Sequence, residues 1–224
     1  MEPYIYSSKA SVSGAVLAEW AFESQLFCET CVIPDGCRDF IIRESLEEGC
    51  TWFISDLSRS AYMVPVSAGE RMKGIRLQPG VEIRLTDLVS WLHNKNPADL
   101  FGSDQIDEFC VRDKQLAVAL DCLASGILTV QCAAKDLGIS VRSLQRIVKS
   151  GTQRSPHFWL SLARIRRAGR SLDSYDSLSD AAFAFGFSDQ AHMTREMKKW
   201  FNITPNQIKA NDEIRALLCE PGYG

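Results

Sequence analysis

The sequence predicts an α+β chain: a β-rich N-terminal domain, a small barrel or sandwich, followed by an all-α domain with two helix-turn-helix units joined by a long helix. Three observations carry this expectation. Short runs rich in aromatic and branched residues, separated by turn signals, fill the N-terminal part. Helical spacing of apolar residues takes over near Leu85. The second half then repeats itself at a spacing of 48–49 residues.

The strands come first. "LFCETCVI", "CRDFIIRE", "TWFISDL", "AYMVPV" and "MKGIRLQPG" are short and follow one another at roughly 10-residue intervals, the rhythm of a small all-β unit. "PDG" at Pro34–Gly36 is the clearest turn, since proline presets one φ and Asp-Gly tolerates positive φ. Alternation along the strands places Phe40, Ile42, Trp52, Ile54 and Val64 inside, with Arg43 and Ser55 facing out. "LTDLVSWLHNK" then spaces Leu85, Leu88, Val89 and Leu92 as a helix does. "NKNPADLFGSDQ" breaks the pattern with Asn, Pro, Gly and Ser and reads as a linker. The expected boundaries are a β-rich domain over 1–95, a linker over 96–107, a helical domain over 108–212 and a tail over 213–224.

Charge divides the chain along the same line. Residues 135–209 hold 13 Lys and Arg against 6 Asp and Glu, a net of +7, whereas the remainder carries −10. Such a two-sided balance suits a polyanion-binding segment attached to a module with another task. "MEPYIYSSKA" has neither a basic nor an apolar leader region, and no apolar run approaches the ~20 residues that span a bilayer. A cytoplasmic protein without membrane partners is therefore expected.

The repeat explains an otherwise odd stretch, "LSDAAFAFGFSDQAHMTREMKKWFNITP", in which an apolar run carries a glycine and then turns basic. A shift of 48 residues lays Ala133, Ala134, Gly138 and Ser140 on Ala181, Ala182, Gly186 and Ser188; a shift of 49 lays Leu144, Arg146, Val148 and Lys149 on Met193, Arg195, Met197 and Lys198, and Ser155-Pro156 on Thr204-Pro205. The extra residue belongs to the turn. Each unit therefore reads as helix, glycine turn, second helix, and Ser/Thr-Pro opening a further helix. Small alanines allow close helix crossing, Ser140 and Ser188 or Asp189 are candidate N-caps, and Ile139 and Phe187 plug the space beneath the turns. The second helices bury Leu144, Ile147 and Val148 in one unit and Met193, Met197, Trp200 and Phe201 in the other. A single such hairpin would be weak evidence for anything beyond two amphipathic helices; two in register, both basic on the outer face, are specific.

These residues resemble the AraC/XylS family of bacterial transcription regulators. "SLSDAAFAFGFSDQAHMTREMKKWFNITPNQIK" is similar to that family's signature, and the joining helix "SPHFWLSLARIRRAGRSLDS" completes the likeness over about 108–212. The resemblance implies sequence-specific binding of double-stranded DNA, with two recognition helices inserted into successive major grooves, and RNA polymerase as a candidate partner. It places Arg142, Gln145 and Arg146, then Gln190, His192, Thr194 and Arg195, at base-reading positions. Guanidinium groups suit guanine and carboxamides suit adenine. Lys149, Arg154, Arg166, Arg167, Lys198 and Lys199 are expected to meet phosphates. Met193 and Met197 stand where the family usually has aromatics, which softens that core. "CVIPDGCRDFIIR" also resembles a segment of small β domains found ahead of such DNA-binding domains; it implies a sensing or dimerising role, through a small-molecule effector or a homodimer.

Two other readings stay open. Cys28, Cys31, Cys37 and Cys50 cluster, and a DNA-alkylation-responsive regulator would use a reactive N-terminal cysteine. The paired zinc spacing and nucleophile motif of that chemistry are missing, and Cys28 and Cys31 would point to opposite faces of a strand. The other reading is a partner-binding protein that has lost DNA binding, against which the Arg and Gln on both outer faces speak. His93, His157 and His192 lie apart, with no catalytic motif beside them, no Walker loop and no dinucleotide fingerprint. No enzyme, metal or cofactor is expected.

Overall fold

A computed structural model describes residues 3–11 and 14–224. Met1 and Glu2, the start of the segment read as lacking a leader, lie outside the described residues. The described chain falls into two compact units. One gathers the residues up to Thr30, then 37–57 and 63–113; the other gathers Cys31–Gly36, Ser58–Tyr62 and Lys114–Gly224.

The first unit is built on strands β1 (Tyr4–Ala10), β2 (Val16–Ser24), β4 (Asp39–Ser45), β5 (Gly49–Ile54) and β7 (Arg71–Leu77). They form one sheet in the order β1-β2-β7-β4-β5, antiparallel at each pairing for which the register is defined. Strands β3 (Cys28–Val32) and β6 (Tyr62–Val66) pair separately, as do the short β8 (Glu82–Ile83) and β9 (Cys110–Val111). The expected barrel or sandwich is therefore corrected to an open sheet: among the described residues its outer strands, β1 and β5, do not pair with each other. Closure is supplied by helices instead. Phe40 pairs across β4 and β5 with Ile54, and Ile42 with Trp52, on the face that also carries Ile75 and Leu77. Leu88 from α1 (Leu85–Leu92) and Leu100, Ile106 and Phe109 from two 3-10 turns (Pro97–Leu100 and Asp104–Phe109) cover that face. Residues 96–107 are thus not a linker but part of this core.

The opposite face of the sheet is polar and aromatic. Trp20 pairs with Gly74, and a Cβ on that glycine would fall 2.0 Å from the indole. The indole N–H donates to Asp39 Oδ2 at 2.7 Å, and Arg76 Nε donates to Asp39 Oδ1 at 3.3 Å. Nearby, Arg43 donates to the buried Glu70 carboxylate at 2.6 Å. Arg43, expected to face solvent, is half-buried by that pairing.

The second unit is helical: α2 (Lys114–Ala124), α3 (Val130–Asp136), α4 (Val141–Thr152), α5 (Pro156–Arg170), α6 (Leu178–Ala184), α7 (Gln190–Phe201), α8 (Pro205–Lys209) and α9 (Asp212–Cys219). α5 is the axis, packed against α2, α4, α7 and α9. Ser155 and Thr204 cap α5 and α8 with proline at the first helical turn, as the Ser/Thr-Pro pairs predict. The expected tail is instead structural. Ile214 and Leu218 of α9 are buried, and Tyr223 is 4% exposed, with its hydroxyl donating to the Leu120 carbonyl at 2.7 Å. The "PDG" turn also belongs to this unit: Gly36, at φ +75°, sits where a Cβ would press on Tyr223, Leu162 and Trp159. The boundary placed at residue 95 is thus corrected twice, by the sheet unit's extension to Asp113 and by the two early segments that join the helices.

Candidate nucleic-acid interface

The two helix-turn-helix units, α3–α4 and α6–α7, match bond for bond at their turns. Gly138 and Gly186 have φ of +65° and +70°, left-handed conformations that favour glycine. Ile139 N–H donates to Ala134 O at 3.0 Å, and Phe187 N–H to Ala182 O at 2.9 Å. Gly138 N–H reaches Lys135 O, and Gly186 N–H reaches Phe183 O, both at 3.0 Å. This pair of bonds, with glycine after the helix end, is the Schellman arrangement, which satisfies carbonyls that a helix end leaves open. The extra residue in the second turn then starts α7 49 residues after α4, although α6 starts 48 after α3.

The second helices start on different caps. Ser140 Oγ accepts from Ser143 N–H at 3.0 Å, whereas Asp189 accepts from His192 N–H at 2.6 Å. Of the two candidates in the second unit Asp189 is thus the cap. That backbone bond, and after it the Arg195 charge, holds its carboxyl below the usual carboxylate range. Ser188 is left to the imidazole: its backbone N–H donates to His192 Nδ1 at 3.3 Å. Accepting there, a neutral ring carries its proton on Nε2. Its ring also stands edge-on to Phe187, 5.4 Å between centroids.

The inner faces bury Leu144 and Val148 in α4 and Met193, Met197, Trp200 and Phe201 in α7; Ile147 is only half-buried. On the outer faces Arg142, Gln145, Arg146 and Lys149 are exposed, as are Gln190, Arg195, Lys198 and Lys199. His192 and Thr194 are half-buried, and Thr194 returns its hydroxyl to Gln190 O at 2.9 Å. Gln190 Oε1 takes a bond from Ser179 of α6 at 3.3 Å, which orients the carboxamide. Lys199 pairs with Glu196 at 3.4 Å.

The arginines of α5 behave otherwise. Arg166, expected at a phosphate, is wholly buried; it donates to the carbonyls of Pro34 at 3.2 Å, Leu218 at 3.4 Å and Glu220 at 3.1 Å. It cannot reach a duplex, and that assignment is withdrawn. Arg167 is half-buried and donates to Ala124 O at 2.9 Å. Arg164, which sequence reasoning passed over, donates to Gly186 O at 3.2 Å and lies over the Phe187 ring at 5.4 Å. It thereby ties the joining helix to the second turn, and burial lowers its pKa. Arg170 bonds the Gly224 carbonyl. Four of the 13 basic residues in 135–209 are thus turned onto backbone oxygens, and Lys209 pairs with Asp173 at 3.6 Å. Arg154 is half-buried beside Phe158, 5.6 Å from its ring.

The N-terminal cysteines do not form one site. Cys28 Sγ lies 3.5 Å from Ser24 Oγ, Cys37 is buried and Cys50 exposed. Burial, then Glu213, raises the pKa of Cys31. Burial also pushes Cys110 up to about 12, which leaves it a thiol at neutral pH. Among the described residues no three His, Cys, Asp or Glu side chains gather as a metal site, and no helix is long and apolar enough to cross a membrane.

Comparison with known proteins agrees with the geometry. Residues 133–211 match the family model described as a helix-turn-helix domain. The probable transcription factor PqrA of Proteus vulgaris is 35% identical over 93 residues, 41% of this chain and 76% of PqrA. The transcriptional activator RhaS of Escherichia coli (strain SE11) is 32% identical over 77 residues, 34% of this chain but only 28% of RhaS. Among solved structures, an AraC-type transcriptional regulator from Chromobacterium violaceum is 28% identical, with 48% of this chain and 95% of that one covered at a TM-score of 0.39. With two equivalent turns, two basic outer helices and a relative matched over three quarters of its length, the chain belongs to the AraC/XylS family of transcription regulators, which contact DNA through tandem helix-turn-helix motifs.

Proposed function

We propose that α4 and α7 enter successive major grooves of one duplex face, with their centres about one helical turn, ~34 Å, apart. The observation that carries this is the equivalence of Arg146 and Arg195: they sit 49 residues apart, exposed, one on each second helix behind matching turns. Arg142, Arg146 and Arg195 are the proposed guanine readers, and Gln145 and Gln190 the adenine readers. His192 adds a donor through Nε2, which suits a purine N7 or a carbonyl oxygen, and Thr194 lines the same groove. Lys149, Arg154, Lys198 and Lys199 meet phosphates, and Arg167 adds to the field from its half-buried place. The sheet unit, in the acidic part of the chain, is the proposed seat of a small-molecule effector or of pairing with a second copy. RNA polymerase is the proposed protein partner, in the cytoplasm.

Base readers and phosphate contacts separate by experiment. Lys199→Ala should weaken specific and random duplexes alike and reduce the salt slope by about one. Arg195→Ala should instead lower the preference for the specific site, by ~1–3 kcal/mol. Titrations of a selected and a random duplex at several salt concentrations measure both. A Lys199→Ala variant that lost preference but kept its salt slope would reverse the assignment.

A further inference from the structure

The two recognition helices end alike but are held differently. Gln153 and Asn202 close α4 and α7 in left-handed conformations, φ +56° and +60°, and each sends its N–H back to a lysine carbonyl, of Lys149 at 2.9 Å and of Lys198 at 3.0 Å. At α4 the tie is local. Trp159 Nε1 donates to the Oγ1 of buried Thr152 at 2.9 Å, and Thr152 donates to Val148 O at 2.7 Å. At α7 the positions matching Thr152 and Trp159 are Phe201 and Ile208, both buried and apolar, so that bond cannot form.

A segment from much earlier in the sequence stands in its place. Ala61 N–H donates to Trp200 O at 2.8 Å, and Asn202 Nδ2 donates to Ala61 O at 2.7 Å. Both polar groups of one peptide position are thus spent on the end of α7. Trp200 O is one of the last carbonyls that a helix leaves without an internal partner. Ala61 is 5% exposed, and residues 58–62 group with the helices. It directly precedes β6, so the clamp is not on a free end.

We propose that Ala61 and Asn202 form a positioning clamp for the second recognition helix, which makes residues 58–62 part of the DNA-reading unit. The clamp acts through α7 and its Arg195, Lys198 and Lys199, and leaves α4 to its own Thr152–Trp159 tie. It rests on the reading of α4 and α7 as recognition helices.

The test uses the full chain with Asn202→Gly. Glycine keeps the left-handed conformation and deletes only the side-chain donor. Three duplexes are compared: a selected site, and two derivatives with one half scrambled, the halves being assigned by whether Arg146→Ala or Arg195→Ala loses them. Affinity for the complete site should fall about three- to ten-fold, the size of one lost hydrogen bond. Affinity for the derivative that keeps only the α4 half should be unchanged. Amide hydrogen exchange should quicken in the last turn of α7 and not in α4. Asn202→Asp, which keeps the backbone preference and sets a carboxylate against the Ala61 carbonyl, should act at least as strongly.

Wild-type affinity for all three duplexes with unchanged exchange in α7 would overturn the proposal. So would an equal loss on the α4-only duplex, or collapse of the whole helical unit, since either would make Asn202 a general stabiliser. If the wild-type chain itself failed to prefer its selected site, the recognition-helix reading would fall, and exchange at the end of α7 would still decide whether the clamp exists.

Discussion

Replacing Arg166 by alanine should destabilise the helical unit by about 3–5 kcal/mol, the cost of opening a buried cationic site whose two terminal nitrogens are hydrogen-bonded to the backbone. The side chain is 0% exposed and donates to three carbonyls from two parts of the sequence: Pro34 in the early turn, and Leu218 and Glu220 at the end of α9. Truncation leaves a cavity beside α5 and strips those oxygens of a donor that water cannot readily replace. The urea midpoint of the helical transition should fall by about 1–3 M, given the usual slope for a domain of this size. Arg166→Lys should also destabilise, because a single ammonium cannot match the spread of a guanidinium onto all three carbonyls. That variant separates structure from DNA contact. A phosphate contact would tolerate lysine, keep its stability and show its loss in the alanine variant's salt slope. An unchanged midpoint for Arg166→Ala would contradict the structural role.

The second large effect is expected from Arg146→Ala combined with Arg195→Ala. Each guanidinium should contribute ~1–3 kcal/mol of discrimination at a guanine. The two residues lie in different helix-turn-helix units and share no bonding partner among the described contacts, so their losses should add, to about 2–6 kcal/mol. The preference for a selected site over random duplex should therefore drop roughly thirty-fold or more, while random binding falls only by the loss of two charges. Stability should hold, because both side chains are exposed. Titration of both duplexes at one salt concentration reads the ratio directly. A double variant that kept its ratio would remove both residues from base reading.

The helix-turn-helix units were legible because their determinants are local. Gly138 and Gly186, the caps at Ser140, Ser155 and Thr204, and the buried alanines all act within a few residues of their own position, and a repeat doubles each signal. What sequence reading missed was set by partners distant along the chain. Arg166 sits among apparently solvent-facing arginines, and its burial depends on Pro34, 132 residues away. Asn96 and Ser103 looked like linker residues, yet they cap two 3-10 turns that put Leu100 and Ile106 into the sheet's core. β1 and β2 escaped notice because "YIYSSKA" is largely exposed and becomes a strand only through its pairing with "VLAEWAFES". The expectation of a small barrel or sandwich fails for a similar reason: strand rhythm counts strands, but the covering α1 and 3-10 turns decide whether the sheet must close on itself.

The central claim is that one chain reads two half-sites with two equivalent helices. Selecting bound duplexes from a random pool with the full chain tests it most directly. Two enriched blocks should emerge, their centres about 10 base pairs apart, and Arg195→Ala should erase only one of them. A single enriched block, or two blocks that Arg195→Ala erases together, would contradict it.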